Sequence, residues 1–336
     1  MRTALVTGGT GMVGSALVER LVAEGITVRA LVRDTAAAAW LADLGARLVP
    51  GDLGNVVSLH EATAGCDLVF HAAAALGPFG TYEPYRIGNV VGTANVVEAA
   101  SRAGARLVHV SSTAVYPGDF RYRHAPTHEA IPLPQHPDND PYGRSKLEAE
   151  RVVLDACAAG RVWAVVVRPP AMYGRRDRQF VPRIAPILAR GLFPLVGGGR
   201  STVSVAHVGS VAEGAVVASQ TDRARGRVYN LTNDFPVTVA EFVRFASVGL
   251  GRSVRTVAIP VAIGRAGLTV LRGGLRLAGR HELARHAHGV LEMLTRDNPF
   301  TSERARAELG WSPSVPPEEA IPAAFRWWKA HGQGSR

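Results

Sequence analysis

Near its beginning the chain reads Thr3-Ala4-Leu5-Val6-Thr7-Gly8-Gly9-Thr10-Gly11-Met12-Val13-Gly14, an apolar run followed by a glycine-rich turn. The apolar run predicts a buried strand. Beyond the turn, apolar residues recur at helical spacing until Gly25, which predicts an amphipathic helix. A strand, a glycine turn and a helix in this order are typical of the phosphate-binding end of a dinucleotide-binding fold.

Each spaced glycine has a separate physical task in such a turn. Gly8 permits the tight turn, Gly11 lets the backbone approach a pyrophosphate, and Gly14 lets the helix pack closely on the strand. The helix N-terminus adds free N–H groups and the positive end of the helix dipole. We therefore expect the backbone of residues 8–14 to bind phosphate groups.

Strands and helices alternate through the first half of the chain. Further strands are predicted at residues 26–32, 47–50, 67–71, 107–110 and 161–167, a long helix at about 83–103 and a loop at 117–141. This alternation predicts an α/β fold with a Rossmann-type doubly wound parallel sheet, which binds ligands beyond the carboxyl ends of its strands. The residues expected at that edge are Gly8–Gly14, Asp52, Ala72–Ala74 and Ser111–Ser112.

The strand ends also predict individual contacts. The carboxylate of Asp52 can accept from an adenine amino group, and the small side chains of Ala72–Ala74 let backbone pass close to a ribose. His71 is interpreted as a structural strand-end residue. NAD-specific sites carry an acid where this chain has Val32, which is followed by Arg33. A guanidinium there favours a 2′-phosphate, so NADP(H) is expected in preference to NAD(H).

A second motif, Pro141-Tyr142-Gly143-Arg144-Ser145-Lys146, opens a later helix. Tyr142 and Lys146 are four residues apart and therefore share one helical face. Of 38 basic residues only Lys146 and Lys329 are lysines, which indicates that a compact ammonium is required here. A neighbouring ammonium is expected to lower the pKa of the phenol, so the pair is a candidate proton-transfer unit.

Composition limits the class of protein. The 336 residues are 47% hydrophobic and 20% charged, as in a soluble globular chain, and no apolar run reaches the ~18 residues of a spanning helix. The chain enters a strand at once, with no signal-peptide pattern, so the cytoplasm is the expected compartment. Cys66 and Cys157 have neither metal-ligand nor disulfide-framework spacing. The net charge of +10 comes from scattered arginines, so we do not expect nucleic acid to be the main partner.

Residues 259–294 form an unusual apolar segment of predicted helix. Arg272, Arg276 and Arg280 recur every four residues and form a basic stripe, so the opposite side is expected to be buried. Three interpretations remain open: a lid over the substrate, a helix lying on a membrane surface, and a hairpin packed on the body of the protein. The lid is the interpretation that we carry forward as a prediction.

These motifs together resemble the extended short-chain dehydrogenase/reductase family, and the resemblance covers nearly the whole chain. Besides the glycine turn, it rests on Gly51-Asp52-Leu53, His71-Ala72-Ala73-Ala74, Ser111-Ser112-Thr113-Ala114-Val115-Tyr116, Tyr142-Gly143-Arg144-Ser145-Lys146 and Arg168-Pro169-Pro170-Ala171-Met172-Tyr173-Gly174. The resemblance implies that Tyr142 is the general acid/base, that Lys146 binds the nicotinamide ribose, and that Ser112 hydrogen-bonds the substrate oxygen. Family members are often dimers, so a homodimer is expected.

The motifs and the resemblance together define the candidate cofactor-binding residues. They are Gly8, Thr10, Gly11, Met12, Val13, Gly14, Arg33, Asp52, Leu53, Ala72, Ala73, Ala74, Asn89, Tyr142, Lys146 and Pro169. The expected domains are a dinucleotide-binding domain at 1–170 and a mostly helical substrate-binding region at 171–336, parts of which return to the first domain.

Two branches of the family compete. The sugar-nucleotide branch carries Asn-Val-Tyr-Gly where this chain has Ala171-Met172-Tyr173-Gly174, so its Asn is missing. The stretches 229–233, 236–238 and 300–311 and the apolar segment 259–294 instead resemble the 3β-hydroxysteroid dehydrogenase-like branch. That branch implies an NADPH-dependent reductase of a ketone on an apolar substrate, such as a sterol or an alkyl β-keto acid. The alternatives are a nucleotide-sugar epimerase or dehydratase with tightly bound NAD, and a non-catalytic dinucleotide sensor.

Overall fold

The computed structural model describes residues 2–77, 81–233, 235–279 and 294–332, and the chain forms two compact units. The first unit consists of Met1–Pro170, Val208–Thr232 and Phe300–Ser314. The second consists of Ala171–His207, Asn233–Pro299 and Val315–Arg336. That the second unit binds substrate stays a prediction.

The elements of both units are named in chain order. The strands are β1 (Thr3–Thr7), β2 (Thr27–Val32), β3 (Ala46–Pro50), β4 (Leu68–His71), β5 (Arg106–Val110), β6 (Ala164–Arg168), β7 (Ala171–Tyr173), β8 (Leu192–Val196), β9 (Val205–His207), β10 (Val228–Asn230) and β11 (Arg255–Ile259). The α-helices are α1 (Met12–Ala23), α2 (Trp40–Asp43), α3 (Val56–Thr63), α4 (Glu83–Tyr85), α5 (Gly92–Ala103), α6 (Gly118–Arg123), α7 (Pro141–Ala158), α8 (Val181–Leu188), α9 (Val208–Gln220), α10 (Val239–Leu250), α11 (Val261–Leu277) and α12 (Pro317–His331).

A seven-stranded parallel sheet forms the centre of the first unit, in the order β3-β2-β1-β4-β5-β6-β10. The chain runs outward in one direction from β1 to β3 and then in the other from β4, so the topology switches between β1 and β4. Ligands of such sheets bind at the carboxyl ends of the strands beside the switch. The predicted doubly wound fold is confirmed.

The core of the first unit lies between the sheet and helices α3, α5 and α7. It buries Leu59 of α3, Val96 of α5 and Val153 of α7 against strand residues such as Leu107 and Val166. On β6 all five residues are buried, as expected for a parallel strand covered on both faces. This packing fixes α7, and therefore Tyr142 and Lys146, relative to the strand ends.

The second unit has its own apolar core around α8, α10 and α12, where Phe242 packs edge-on against Phe180 and Phe325. Two parallel strand pairs, β7–β9 and β8–β11, complete it. Helix α10 begins at a capping box in which Thr238 and Glu241 satisfy each other's backbone N–H groups. Among the helices described, none is long and apolar enough to cross a membrane.

Three details differ from the sequence-based expectations. The predicted helix at 83–103 contains a π-helical segment at Arg86–Val91, and the predicted loop at 117–141 contains α6. In the predicted apolar segment 259–294, helix α11 ends at Leu277, and residues 280–293, including Arg280, lie outside the described residues. A π-helical turn inserts one residue into the helical repeat, a shift that hydrophobic periodicity does not reveal.

Candidate active site

The glycine turn connects β1 to α1 by direct backbone packing. Gly8 has φ +71°, and a Cβ atom built there would lie 2.6 Å from the backbone nitrogen of Ala73. A Cβ atom at Gly14 would lie 2.1 Å from the carbonyl oxygen of Gly8. Both distances are far shorter than real contacts allow, so only glycine fits at these two positions.

The N-terminus of α1 is suited to an anion. Its N-cap is Gly11, which has no side chain to satisfy the first N–H groups, and the first turn carries no acidic residue. Thr10 and Gly11 are exposed, whereas Met12 and Val13 are partly buried. The start of α1 therefore fits a dinucleotide pyrophosphate, which would accept hydrogen bonds from the free backbone N–H groups of the first helical turn.

A buried hydrogen-bond chain joins the ends of β1 and β4 to helix α5. The ring nitrogens of His71 lie 2.7 Å from Thr7 Oγ1 and 2.9 Å from Thr93 Oγ1, and Thr7 Oγ1 also accepts from Ala73 N. Burial, followed by the charge of Lys146, lowers the pKa of His71 to about 3. His71 is thus a neutral structural residue, as the sequence predicted.

Asn89 connects the segment after β4 to helix α7. Its Oδ1 accepts from Ala75 N at 2.6 Å, and its Nδ2 donates to Ser145 Oγ at 2.9 Å. The side chain is 1% exposed and lies in the π-helical segment. Asn89 therefore positions the backbone next to Ala72–Ala74; its predicted contact with a cofactor stays a prediction.

The hydroxyl group of Ser112 acts on the phenol of Tyr142. Ser112 follows β5 and its Oγ also accepts from Ala114 N at 3.1 Å, while Asp140 caps the N-terminus of α7 just before Tyr142. Burial raises the pKa of Tyr142 to about 12, although the hydroxyl group of Ser112 acts in the opposite direction. The expectation that Lys146 lowers this pKa was wrong, because desolvation of the phenolate raises it. Tyr142 is therefore a protonated phenol at neutral pH.

Lys146 lies one helical turn further along α7 and is 2% exposed. Its Nζ donates to the carbonyl oxygen of Val110 at the end of β5, at 2.7 Å. Burial lowers the pKa of Lys146 to about 8, and the carboxylate of Glu150 partly offsets that effect. The ammonium therefore lies at the carboxyl edge of the sheet.

Glu150 lies one helical turn beyond Lys146 on α7 and belongs to a buried network of hydrogen bonds and an ion pair that sequence reasoning missed. Its carboxylate accepts from Ser111 Oγ at 2.8 Å and forms a two-pronged ion pair with Arg168 at the end of β6. The Arg168 guanidinium also donates to Tyr116 OH at 2.7 Å. Glu150 is four residues after Lys146, so the helical spacing that pointed to the Tyr142–Lys146 pair also contained the signal for Glu150.

The predicted adenosine-binding residues lie at the ends of β2 and β3. Arg33 is exposed directly after β2, and its neighbour Asp34, which the sequence interpretation overlooked, accepts from Ala37 N at 3.0 Å. Asp52 is exposed, and its Oδ1 accepts from Gly54 N at 2.8 Å. Leu53 is partly buried, and its carbonyl oxygen accepts from Asn95.

Pro169 is buried directly after β6 and supports the segment that holds Ser112. Its carbonyl oxygen accepts from the backbone N–H of Thr113 at 2.9 Å.

The first unit thus brings together the glycine turn, Ala72–Ala74, Ser112, Tyr142 and Lys146 on strands and helices that share one sheet edge.

Comparison with known proteins agrees with this geometry. The model of the NAD dependent epimerase/dehydratase family matches residues 4–232, which is more than half of the chain. The chain belongs to this family. It is therefore an enzyme of the extended short-chain dehydrogenase/reductase superfamily, as the motifs indicated.

The relatives are similar over nearly the entire chain. A 4-hydroxy-2-methyl-3-oxo-4-farnesyl-3,4-dihydroquinoline-1-oxide ketoreductase of Stigmatella aurantiaca is 35% identical, covering 100% of this chain and 98% of its own. A 2-alkyl-3-oxoalkanoate reductase of Stenotrophomonas maltophilia is 32% identical over 94% of this chain and 96% of its own. The crystal structure of gox2253 is 28% identical, covers both chains completely and superposes with a TM-score of 0.78.

Proposed function

We propose that this enzyme reduces a ketone on an apolar substrate to a secondary alcohol, with NADPH as the preferred reductant. The observation that carries the proposal is the hydroxyl pair of Ser112 and Tyr142, with the buried ammonium of Lys146 one turn beyond. This arrangement presents two O–H groups where a carbonyl oxygen gains negative charge.

The chain's own residues supply binding and proton transfer. Because the pKa of Tyr142 is about 12, its phenol holds a proton at neutral pH and acts as the general acid of the reduction. Ser112 donates a second hydrogen bond to the same substrate oxygen. Lys146 holds the nicotinamide ribose and, as a cation, stabilises the phenolate that forms when the proton leaves. A bound dinucleotide supplies the hydride.

The remaining cofactor contacts follow from the shape of the first unit. The uncapped start of α1 binds the pyrophosphate, Ala72–Ala74 line the adjacent ribose, and Asp52 accepts from the adenine amino group. Arg33 binds the 2′-phosphate of NADP because its guanidinium is exposed at the end of β2. The carboxylate of Asp34 is engaged by the N–H of Ala37, which limits its competition for a ribose hydroxyl.

The two named relatives support an apolar substrate with a ketone. One is named for a farnesylated quinoline oxide and the other for alkyl oxoalkanoates, so both names describe an oxo group on a molecule that carries a farnesyl or alkyl chain. We propose the same class of substrate here, bound with the help of residues 171–336. The cytoplasmic compartment, the homodimer and the lid formed by residues 259–294 stay predictions.

A cofactor and substrate panel tests the proposal. Purified enzyme is incubated with NADPH or NADH and with ketones of increasing chain length, and nicotinamide oxidation is followed together with the alcohol product. We expect net NADPH oxidation that increases with the apolar length of the ketone. Tightly retained NAD and isomerised nucleotide sugar without net oxidation would instead identify an epimerase. Dinucleotide binding without turnover of any ketone would identify a sensor.

A further inference from the structure

Helix α11 exposes an apolar stripe. Ile263, Val270 and Leu277 are spaced seven residues apart, and they expose 61%, 76% and 93% of their surface. Residues at this spacing lie on one side of a helix, so the three side chains share one side of α11. Leu271, at the border of the stripe, is 52% exposed. The expectation that the side opposite the arginines is buried was therefore wrong for Ile263 and Leu271.

The other side of α11 packs on its own unit. A Cβ atom at Gly264 would lie 2.7 Å from Val196 of β8, and the side chain of Val261 is close to Gly197. Val261, Gly264, Leu268 and Leu275 are all partly buried. The helix is thus attached through one face, and the exposed stripe is a different face.

The surrounding sequence is strongly basic. Residues 242–279 contain six arginines and no Asp or Glu. Arg265 is exposed and, two residues after Ile263, lies nearly opposite the apolar stripe around the helix. Arg255 of the neighbouring strand β11 is also exposed. An apolar face, a basic face and the absence of acids in this sequence are the features of a helix that lies in the interface of an anionic bilayer.

We propose that α11, together with β11, docks on a bilayer that contains anionic phospholipids. The stripe of Ile263, Val270 and Leu277 enters the boundary between headgroups and acyl chains, while the arginines attract the phosphate-rich surface. A second copy of this chain fits this face less well, because pairing the stripes would bring two acid-free, arginine-bearing segments together. For α11 this proposal is the alternative to the lid interpretation; it goes beyond the proposed reaction and does not depend on it.

A single label on the stripe tests insertion directly. Both native cysteines, Cys66 and Cys157, are buried, so a cysteine at an exposed position is labelled selectively with the fluorophore NBD. Val270→Cys is compared with Val57→Cys, since Val57 is 66% exposed in the first unit. We expect a blue shift and stronger emission for the label at 270, but not at 57, when vesicles of phosphatidylcholine and phosphatidylglycerol are added. Equal behaviour of the two labels, or a response at 270 to substrate and NADPH without vesicles, overturns the docking.

Vesicle sedimentation tests the contributions of the apolar and basic groups. Ile263→Ser/Val270→Ser is compared with Ile87→Ser/Val57→Ser in the first unit, whose wild-type side chains are also exposed. Arg255→Gln/Arg265→Gln is compared with Arg223→Gln/Arg225→Gln, also in the first unit. We expect the variants at α11 and β11 to lose roughly tenfold in vesicle binding, the controls to bind as the parent does, and salt to weaken binding. Circular dichroism and thermal unfolding verify that each variant is folded. Salt-independent binding, or a change of oligomeric state in the stripe variant with unchanged vesicle binding, refutes the proposal.

Discussion

Lys146 and Glu150 lie one helical turn apart on the buried side of α7, and each exposes only 2% of its surface. The ammonium donates to the Val110 carbonyl, while the carboxylate is held by Ser111 and Arg168. Opposite charges attract strongly where water is excluded, so Glu150 offsets part of the cost of burying a charged Lys146. The network therefore acts on the proposed proton-transfer pair without touching substrate.

The burial of Lys146 beside Glu150 predicts the pH above which the activity falls, which we call the alkaline limit. The charged and titratable groups around Lys146 are Tyr142 and Glu150 on α7, His71 on β4 and His109 on β5. The pKa values of both histidines are lowered by burial, so they stay neutral. Lys146 loses its proton as pH rises through about 8. We expect kcat/KM to fall above that pH.

Glu150→Gln should move this limit to lower pH. The change removes the attraction for the ammonium and leaves the Arg168 charge unpaired, so the pKa of Lys146 falls further below its usual value. Glu148→Gln is the matched control, because Glu148 is on the same helix but pairs with Arg144. Complete pH profiles of kcat/KM for the three proteins measure the effect. A uniformly lower profile with an unmoved limit would assign Glu150 a purely structural role.

Tyr142→Phe should lower kcat by at least ~10²-fold, the scale of lost general acid catalysis, and leave dinucleotide binding nearly intact. Tyr229→Phe removes a tyrosine hydroxyl that hydrogen-bonds to Glu308 instead, and it should retain its activity. Single-turnover rates and fluorescence titration with NADPH separate chemistry from binding. Near-parental turnover of Tyr142→Phe would exclude the tyrosine as the proton donor.

Gly14→Ala should destabilise the protein by about 1–3 kcal/mol, because the new methyl group would overlap the Gly8 carbonyl and push α1 from the turn. Gly267→Ala is the control within a helix, since a Cβ there meets nothing within 4 Å. Gly267→Ala should raise the free energy of unfolding by up to about 1 kcal/mol, because alanine has a higher helix propensity than glycine. Urea unfolding measures both, and a parental value for Gly14→Ala would contradict the packing described for the turn.

Arg33→Ala should reduce the preference for NADP over NAD by about tenfold or more, because a charge-assisted contact to the 2′-phosphate is lost. Asp34→Ala should raise or preserve that preference, since it removes a neighbouring negative charge from the phosphate. The ratio of kcat/KM for the two cofactors is compared among the three proteins. An unchanged ratio in Arg33→Ala would mean that another group binds the phosphate.

The sequence by itself determined the α/β fold, the glycine turn and the positions of Tyr142 and Lys146. These features depend on short-range physics: helical spacing places residues 142 and 146 on one face, and the alternation of strands and helices requires a parallel sheet. The order of the motifs also indicated the family. Periodicity could not reveal the π-helical segment at Arg86–Val91, because the segment is only six residues long, too short for a shift of one residue in the repeat to stand out.

Only the tertiary structure decided the electrostatics of the candidate site. The spacing of Tyr142 and Lys146 predicts a lowered phenol pKa, but burial by surrounding elements reverses the direction. The partner of Glu150 lies on β6, eighteen residues away along the chain, so no local pattern identifies it. Long-range packing also decides which face of α11 is buried. The sequence shows an apolar and a basic face, and the contact of Gly264 with Val196 determines which side of the helix is covered. Local spacing fixes what a helix can present, whereas long-range packing determines which of its groups lose contact with water.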